Sequence, residues 1–154
     1  MIPNPILKTV LICYMNAVAA FFQISPYKLQ AVCTVESRKH GSGFEVGKIA
    51  KSKPYWGPGG LNEECFEDKD MVKNPYSNIY FVGKTLAKYE DFVQALRNYN
   101  REFTWSYYRE ILRIERLLRK EHQAELALSS SRKQPESSKH SPEEYGDALC
   151  HVPF

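Results

Sequence analysis

The sequence lacks the cysteine patterns that mark metal centres and disulfide frameworks. It has four cysteines, and no two of them are spaced as CxxC, which argues against a zinc site. Cys13 and Cys33 lie in the apolar runs LICYM and AVCTV, where we expect them to be small buried hydrophobic residues. Cys150 lies in a polar carboxyl-terminal stretch, so we expect reduced thiols. We expect no metal and no cofactor.

A strong charge of either sign is also missing. The chain has 21 Lys and Arg against 18 Asp and Glu, and a net charge of +3 is too weak to argue for nucleic acid. A mild positive balance suits an anionic polymer, a membrane surface or a cell wall. The length of 154 residues excludes a TIM barrel and fits one domain. Aromatic residues, at 13%, can build a core or line a groove for sugars or bases.

No apolar run reaches the roughly 20 residues of a membrane-spanning helix. The longest, ILKTVLICYMNAVAAFF over Ile6–Phe22, is interrupted by Lys8, Thr9 and Asn16, so we expect no stable membrane insertion. A signal peptide is the minority interpretation, with Lys8 before the apolar stretch and Ala17–Ala20 as a cleavage site. We favour a buried first helix of the domain.

Capping residues and glycines divide the next part of the chain. Ser25-Pro26 is a favourable helix start, and Gly41 ends that helix. Residues 41–61 contain six glycines and two prolines, which predicts a long loop with at most a short hairpin around Phe44–Ile49. Asn62–Glu67 is predicted as a short helix.

Three further helices follow, each with a capping residue at its start. Asn74-Pro75 opens a helix to Asp91, Asp91–Tyr99 forms the next, and Thr104 caps a long one. Two apolar stripes are predicted to face the core, one comprising Ile79, Val82, Leu86 and Tyr89 and the other Tyr107, Ile111, Ile114 and Leu118. Gly83 is expected to permit close helix packing.

From Ser129 the composition changes to Ser, Pro and charged residues without periodicity. We therefore predict an all-α domain over residues 1–128, with β structure at most in the 41–61 hairpin, and a disordered polar tail over residues 129–154.

Two blocks of the sequence resemble one enzyme family. The stretch ISPYKLQAVCTVESRKHGSG resembles the catalytic helix of the lysozyme-like soluble lytic transglycosylases, which ends in Glu-Ser before a glycine-bearing loop. The stretch NPYSNIYFVGKTLAKYEDFVQALRNYN resembles the Asn-Ile…Gly…Leu-Ala segment and the Ala-Tyr-Asn signature of that family. The matching residues are Glu36-Ser37, Asn78, Ile79, Gly83, Leu86, Ala87 and Asn98-Tyr99-Asn100, with Asn98 in place of the usual alanine. The resemblance covers residues 6–103 and implies a lysozyme-like fold.

The resemblance implies that Glu36 is the single catalytic residue of a peptidoglycan lytic transglycosylase. It would protonate the glycosidic oxygen, for which burial must hold a proton on the carboxyl near neutral pH. Tyr99 would line the site and hold the carboxyl by a hydrogen bond, and Ser37 would orient the substrate or the loop. Where the family carries Gly-Leu-Met-Gln, this chain has Gly60-Leu61-Asn62, so Asn62 stands in for the glutamine and the groove differs.

The remaining site predictions concern substrate contacts. Tyr55 and Trp56 suit stacking on sugar faces or packing within the loop, and Asn100 joins the substrate-binding set. Arg38-Lys39-His40 would meet anionic peptide stems or simply form a charged helix end. Glu45 is the nearest second carboxylate, which a muramidase-type hydrolase would need.

Two alternatives to the transglycosylase stay open. One is that hydrolase; the other is an inactive lysozyme-like protein that assembles in a virion or secretion complex through its long carboxyl-terminal helix and tail. Without a clear signal peptide, we expect a virion component or a protein delivered to the periplasm or cell wall by another route. The expected partner is the glycan strand of peptidoglycan, and not nucleic acid.

Overall fold

A computed structural model of the chain describes residues 5–40 and 55–132. Within these ranges the protein is built from α-helices, one antiparallel two-stranded hairpin and one turn of 3-10 helix over Glu63–Cys65. In chain order the elements are α1 Pro5–Phe22, α2 Pro26–His40, β1 Tyr55–Trp56, β2 Leu61–Asn62, α3 Lys69–Lys73, α4 Pro75–Leu86, α5 Phe92–Tyr99 and α6 Trp105–Ser131. The predicted all-α class is confirmed.

Local sequence explains where the helices begin. The side chains of Asp68, Asn74, Asp91 and Thr104 each accept a hydrogen bond from a backbone N–H in the first turn of the helix that follows. Pro75 occupies the first turn of α4, where its missing N–H costs nothing.

The core lies where α2 packs against α6 and where α1 packs against α4. Its largest fully buried apolar side chains come from five helices and are Leu11, Met15, Leu29, Val32, Ile79, Val82, Leu96 and Ile111. Gly83 allows the close approach of α4 to α1, because a Cβ there would lie 2.5 Å from Cγ1 of Val18. The close packing expected of Gly83 is confirmed.

The first helix contributes to this core, as favoured from the sequence. Leu11, Met15, Val18 and Ala19 form its buried face. Cys13 lies on the opposite face and is exposed, so its predicted burial is wrong; Cys33 is buried as expected. The three described cysteines, at positions 13, 33 and 65, are free thiols.

No helix in the described ranges is long and apolar enough to cross a lipid bilayer.

Several predicted boundaries need correction. α4 ends at Leu86 instead of Asp91, which leaves Tyr89 outside the helix and exposed, because Asp91 serves as the cap of α5. The helix predicted over Asn62–Glu67 is reduced to the single 3-10 turn, with Asn62 as its cap, and α3 was not predicted.

The hairpin lies within the predicted loop but at a different place. It pairs Tyr55 with Asn62 and Trp56 with Leu61, while the predicted hairpin at Phe44–Ile49 falls outside the described residues.

The long helix α6 passes the predicted domain boundary at residue 128 by three residues. The hydroxyls of Ser129, Ser130 and Ser131 donate to carbonyls of the preceding turn, which satisfies these side chains within a helix. The rest of the predicted tail, from residue 133, lies outside the described residues.

Candidate active site

Glu36 is a buried carboxyl near the carboxyl end of α2, with only 5% of its surface exposed. The hydroxyl of Tyr107, in the first part of α6, donates a hydrogen bond of 2.6 Å to Oε1 of Glu36. Tyr107 is itself only 6% exposed. Because α2 and α6 pack along each other, this contact joins two main elements of the core at the predicted catalytic residue.

Two opposing effects act on the charge of this carboxyl. Removal from water penalises an ionised carboxylate, whereas the hydrogen bond from Tyr107 favours it. A carboxyl in such surroundings has the two properties that acid–base chemistry needs: a fixed orientation and an environment unlike water.

The groups around Glu36 respond to its charge. Burial, reinforced by the negative charge of Glu36, raises the pKa of the Cys33 thiol and of the Tyr99 hydroxyl well above their usual ranges. The same two causes raise the pKa of Tyr107, and its hydrogen bond to Glu36 adds to the effect, while the Asn100 side chain acts in the opposite direction. Cys33, Tyr99 and Tyr107 therefore surround the carboxyl as neutral groups at physiological pH.

The hairpin turn is held over the helices by one buried asparagine. Nδ2 of Asn78, on α4, donates to the carbonyl of Trp56 at 2.8 Å and to that of Val72 at 2.9 Å. Its Oδ1 accepts from the N–H of Gly59 at 2.8 Å. All three polar sites are directed at backbone, so Asn78 fixes the position of the turn relative to α3 and α4.

The turn approaches the core so closely that glycine is needed within it. A Cβ on Gly59 would lie 2.2 Å from Cγ2 of Val82 and 2.9 Å from the hydroxyl of Tyr99. Gly57 has a φ of +69°, in the left-handed region that glycine adopts without strain. These glycines permit the contact that seats the turn beside Tyr99.

The predicted hydrogen bond from Tyr99 to Glu36 is wrong. A tyrosine hydroxyl has one proton, and that of Tyr99 is donated to the carbonyl of Gly59. Tyr99 thus ties α5 to the hairpin turn, and the donor to Glu36 is Tyr107. Tyr99 still lies within electrostatic reach of Glu36, as its raised pKa records.

Ser37 lies between helix and turn. Its hydroxyl is 2.7 Å from the carbonyl of Cys33 and 2.9 Å from that of Pro58, both acceptors. Ser37 was predicted to orient either the substrate or the loop, and its contact with Pro58 supports orientation of the loop.

The aromatic residues of β1 have partial roles in packing. Nε1 of Trp56 donates to Oε2 of Glu63 at 2.8 Å, and Nζ of Lys73 lies 5.0 Å from the centre of the Trp56 ring. Tyr55 is exposed at the edge of the hairpin. Their stacking on sugars stays a prediction.

Both predicted asparagines have local capping roles. Oδ1 of Asn62 accepts from the N–H of Glu64, and Oδ1 of Asn100 accepts from the N–H of Glu102. A side-chain hydrogen bond from Asn100 also lowers the pKa of Tyr107, which places Asn100 beside the donor to Glu36, whereas Asn62 lies on β2. Their contacts with substrate stay predictions.

Some predicted residues fall outside what the structure describes. Glu45 is one, so no second carboxylate is assigned from the loop. The backbone of α2 runs through Arg38-Lys39-His40, but the side chains of these three residues lie outside the described set.

Two residues of the site, Tyr107 and Asn78, were not among the predicted site residues, although Tyr107 was expected to face the core and Asn78 is a position that matches the family. Each occupies a core position on an otherwise apolar stripe, and a polar atom at such a position must find a partner. A polar side chain at a core position of an apolar stripe is thus the sequence feature that identifies both residues.

Nothing in the described part of the chain points to a bound metal. Among residues 5–40 and 55–132, no group of three or more His, Cys, Asp or Glu side chains is placed to hold a metal ion. Comparison of the chain with known protein families, with curated proteins and with solved structures finds no match. Any function for this site has to be argued from the geometry of Glu36 and its neighbours.

Proposed function

We propose that the protein is a peptidoglycan lytic transglycosylase that cleaves the β-1,4 bond between N-acetylmuramic acid and N-acetylglucosamine. The observation that carries the proposal is the buried carboxyl of Glu36, held by the hydroxyl of Tyr107 at the end of α2 and beside the glycine turn. Ser37, Tyr99 and Asn100, which belong to the two blocks that resemble this family, lie near that carboxyl or its donor Tyr107.

In the proposed reaction, Glu36 acts first as acid and then as base. Its proton passes to the glycosidic oxygen, the bond from that oxygen to C1 of the muramic acid breaks, and the N-acetyl oxygen of the same sugar stabilises C1. The carboxylate then takes the proton of the C6 hydroxyl, whose oxygen attacks C1. The glycan ends in a 1,6-anhydro sugar, and Glu36 regains its proton.

The neighbouring residues suit this single-carboxylate chemistry. Tyr107 orients the carboxyl and stabilises it while it is ionised, midway through the reaction. Tyr99 and Ser37 hold the turn at Gly59 and Pro58, which forms one wall near the carboxyl. Tyr55 and Trp56, on the hairpin, would contact the sugar rings.

The decisive experiment is to incubate the purified chain with isolated peptidoglycan and to identify the soluble products by mass spectrometry. Glu36→Gln keeps the shape of the side chain and removes its proton exchange, so activity should fall by at least about 100-fold. Glu115→Gln is the matched control, because Glu115 is also buried but pairs with Arg119 on α6.

The products separate the possible outcomes. Anhydro-muropeptides that disappear in Glu36→Gln support the proposal. Products with reducing ends mean a muramidase and direct attention to Glu45. Absence of products from folded protein rejects enzymatic activity on this substrate.

A structural role in an assembly is the second candidate, and the outer part of α6 favours it. Leu117, Leu126 and Leu128 are exposed large apolar side chains on this helix. The proposed setting is a virion or a secretion complex, which would also carry the protein to the cell wall. We expect the double variant Leu126→Ser/Leu128→Ser to lose assembly with this complex while its helical content stays that of the wild type.

A further inference from the structure

A second concave site lies where α5 meets α6. Arg97, Arg101, Phe103, Thr104 and Trp105 line an open depression of about 400 Å³. Such a volume accommodates a sugar or a short peptide segment. The residues come from the end of α5, the connection and the first turn of α6, and both ends of this connection belong to well-packed helices.

The depression combines cationic groups with exposed aromatic surface. The guanidinium of Arg97 lies 5.2 Å from the ring centre of Phe103 and 5.7 Å from that of Trp105, within the range of cation–π attraction. Trp105 is 55% exposed although it is a large aromatic residue. Cation–π attraction draws the guanidinium of Arg97 to this aromatic surface, and its N–H donors can still bind an anion.

These guanidinium groups are available to a ligand. Within residues 5–40 and 55–132, the ion pairs join Lys73 to Asp70, Arg113 to Glu110 and Arg119 to Glu115, and none involves Arg97 or Arg101. Two arginines that face one depression without a carboxylate partner form a site for an anion, since guanidinium binds carboxylate in a bidentate manner.

One ring contact joins the depression to the candidate active site. The ring of Phe103 packs edge-to-face against that of Tyr107, with 6.3 Å between centres, and the hydroxyl of Tyr107 contacts Glu36. Only the rings of Phe103 and Tyr107 therefore separate the depression from Glu36. One extended substrate could then occupy both places with different parts of its structure.

We propose that this depression binds the carboxylates of the peptide stems on peptidoglycan, with Arg97 and Arg101 as anion ligands and Trp105 as the apolar platform for the attached chain. This inference rests on the proposed function, because it assigns the stem to a site adjoining the one proposed for the glycan. Local charge favours a carboxylate over a polyphosphate: Glu102, which directly follows Arg101 in the sequence, is exposed, and one positive charge remains across Arg97, Arg101 and Glu102.

The test uses Trp105 as its own reporter. The chain has two tryptophans, so Trp56→Phe leaves Trp105 as the only indole, and Glu36→Gln in the same full-length chain prevents turnover. The probes are a disaccharide that carries a tetrapeptide stem and the same disaccharide after an amidase has removed the stem. We expect the stem-bearing probe to change Trp105 fluorescence and to bind about tenfold more tightly than the stripped probe.

Charge-matched variants test the arginines. Arg97→Gln/Arg101→Gln should abolish the preference for the stem, whereas Arg109→Gln/Arg116→Gln, which removes two exposed charges from α6, should retain it. Equal affinity for both probes, or an unchanged Trp105 signal on binding, overturns the proposal. Displacement of the stem probe by a single-stranded oligonucleotide that binds more tightly overturns it in favour of nucleic acid.

The stem-binding site and the proposed enzymatic function can fail independently of each other. A wild-type chain that cleaves no glycan yet binds the stem through the two arginines supports the inference and rejects the enzyme. A chain that cleaves stripped and intact glycan equally, with no effect of the double arginine variant, supports the enzyme and rejects the inference.

Discussion

Replacing Tyr107 with phenylalanine removes one hydroxyl from the centre of the site and leaves the ring in place. The lost hydrogen bond is 2.6 Å long and joins two side chains that are 5% and 6% exposed, so water does not readily replace the donor. A buried acceptor that is left without its donor costs about 1–3 kcal/mol, and we expect Tyr107→Phe to lower the free energy of unfolding by about 2 kcal/mol at pH 7. The midpoint of urea unfolding should fall without a change in its slope.

A double-mutant cycle distinguishes the contact itself from general damage to the core. Glu36→Met removes the acceptor while keeping similar volume, and it leaves the Tyr107 hydroxyl buried without that acceptor. In the double variant neither the carboxyl nor the hydroxyl is left without the other, and the loss of the hydrogen bond between Asn100 and Tyr107 is common to both Tyr107 variants and cancels in the cycle. The loss of stability of the double variant should therefore be smaller than the sum of the single losses by at least about 1 kcal/mol. Losses that add to within about 0.5 kcal/mol would refute the hydrogen bond as the link between α2 and α6.

Three further predictions concern the turn and the buried groups. Asn78→Ala leaves one backbone N–H and two backbone carbonyls without a partner, and it should lower the free energy of unfolding in urea by about 3 kcal/mol or more. Asn78→Asp keeps one acceptor and should not restore stability. A loss below about 1 kcal/mol for Asn78→Ala contradicts its role in holding the turn. Gly59→Ala forces a Cβ into α4 and should cost about 1–3 kcal/mol by thermal unfolding; a neutral result means that the turn is not seated there. The raised pKa values of Cys33, Tyr99 and Tyr107 mean that the folded state retains protons that the unfolded state loses above pH 9–10. The contribution of these three groups to stability should therefore be constant below that range and fall above it, by up to about 1.4 kcal/mol per pH unit for each group. Urea midpoints that stay level from pH 8 to 11 contradict this burial.

Features with a local cause were predictable from the sequence. A helix cap and an apolar stripe depend on residues within a few positions, which is why Asn74-Pro75 marked the start of α4 and why α6 was expected after Thr104. The glycines at 57–60 correctly indicated a break in regular structure. The end of α4 was placed too late because Tyr89 extends its apolar spacing, although the cap of α5 follows immediately.

Features that depend on distant residues were not predictable in the same way. Tyr107, which donates a hydrogen bond to Glu36, lies 71 positions away in the sequence. The residue spacing in the two helices does not predict which tyrosine contacts the carboxyl. Tyr99 lies inside the matched region and Tyr107 lies just beyond it, and only their packing decides that one hydroxyl contacts a backbone carbonyl and the other the carboxyl. The same holds for Asn78, whose three partners lie on separate segments.

The separation of 71 residues between Glu36 and Tyr107 has a consequence for how the site comes into being. During synthesis, a chain that has emerged only as far as α5 contains the carboxylate but not its hydroxyl donor, and the groove in which α2 rests on α6 does not exist. Closing so long a loop is entropically costly and occurs only when the packing of both helices compensates for it. The hydrogen bond between Tyr107 and Glu36 therefore forms only in a chain that includes α6. Nascent or truncated chains contain Glu36 without the hydroxyl donor and without the packing of α6 that buries it.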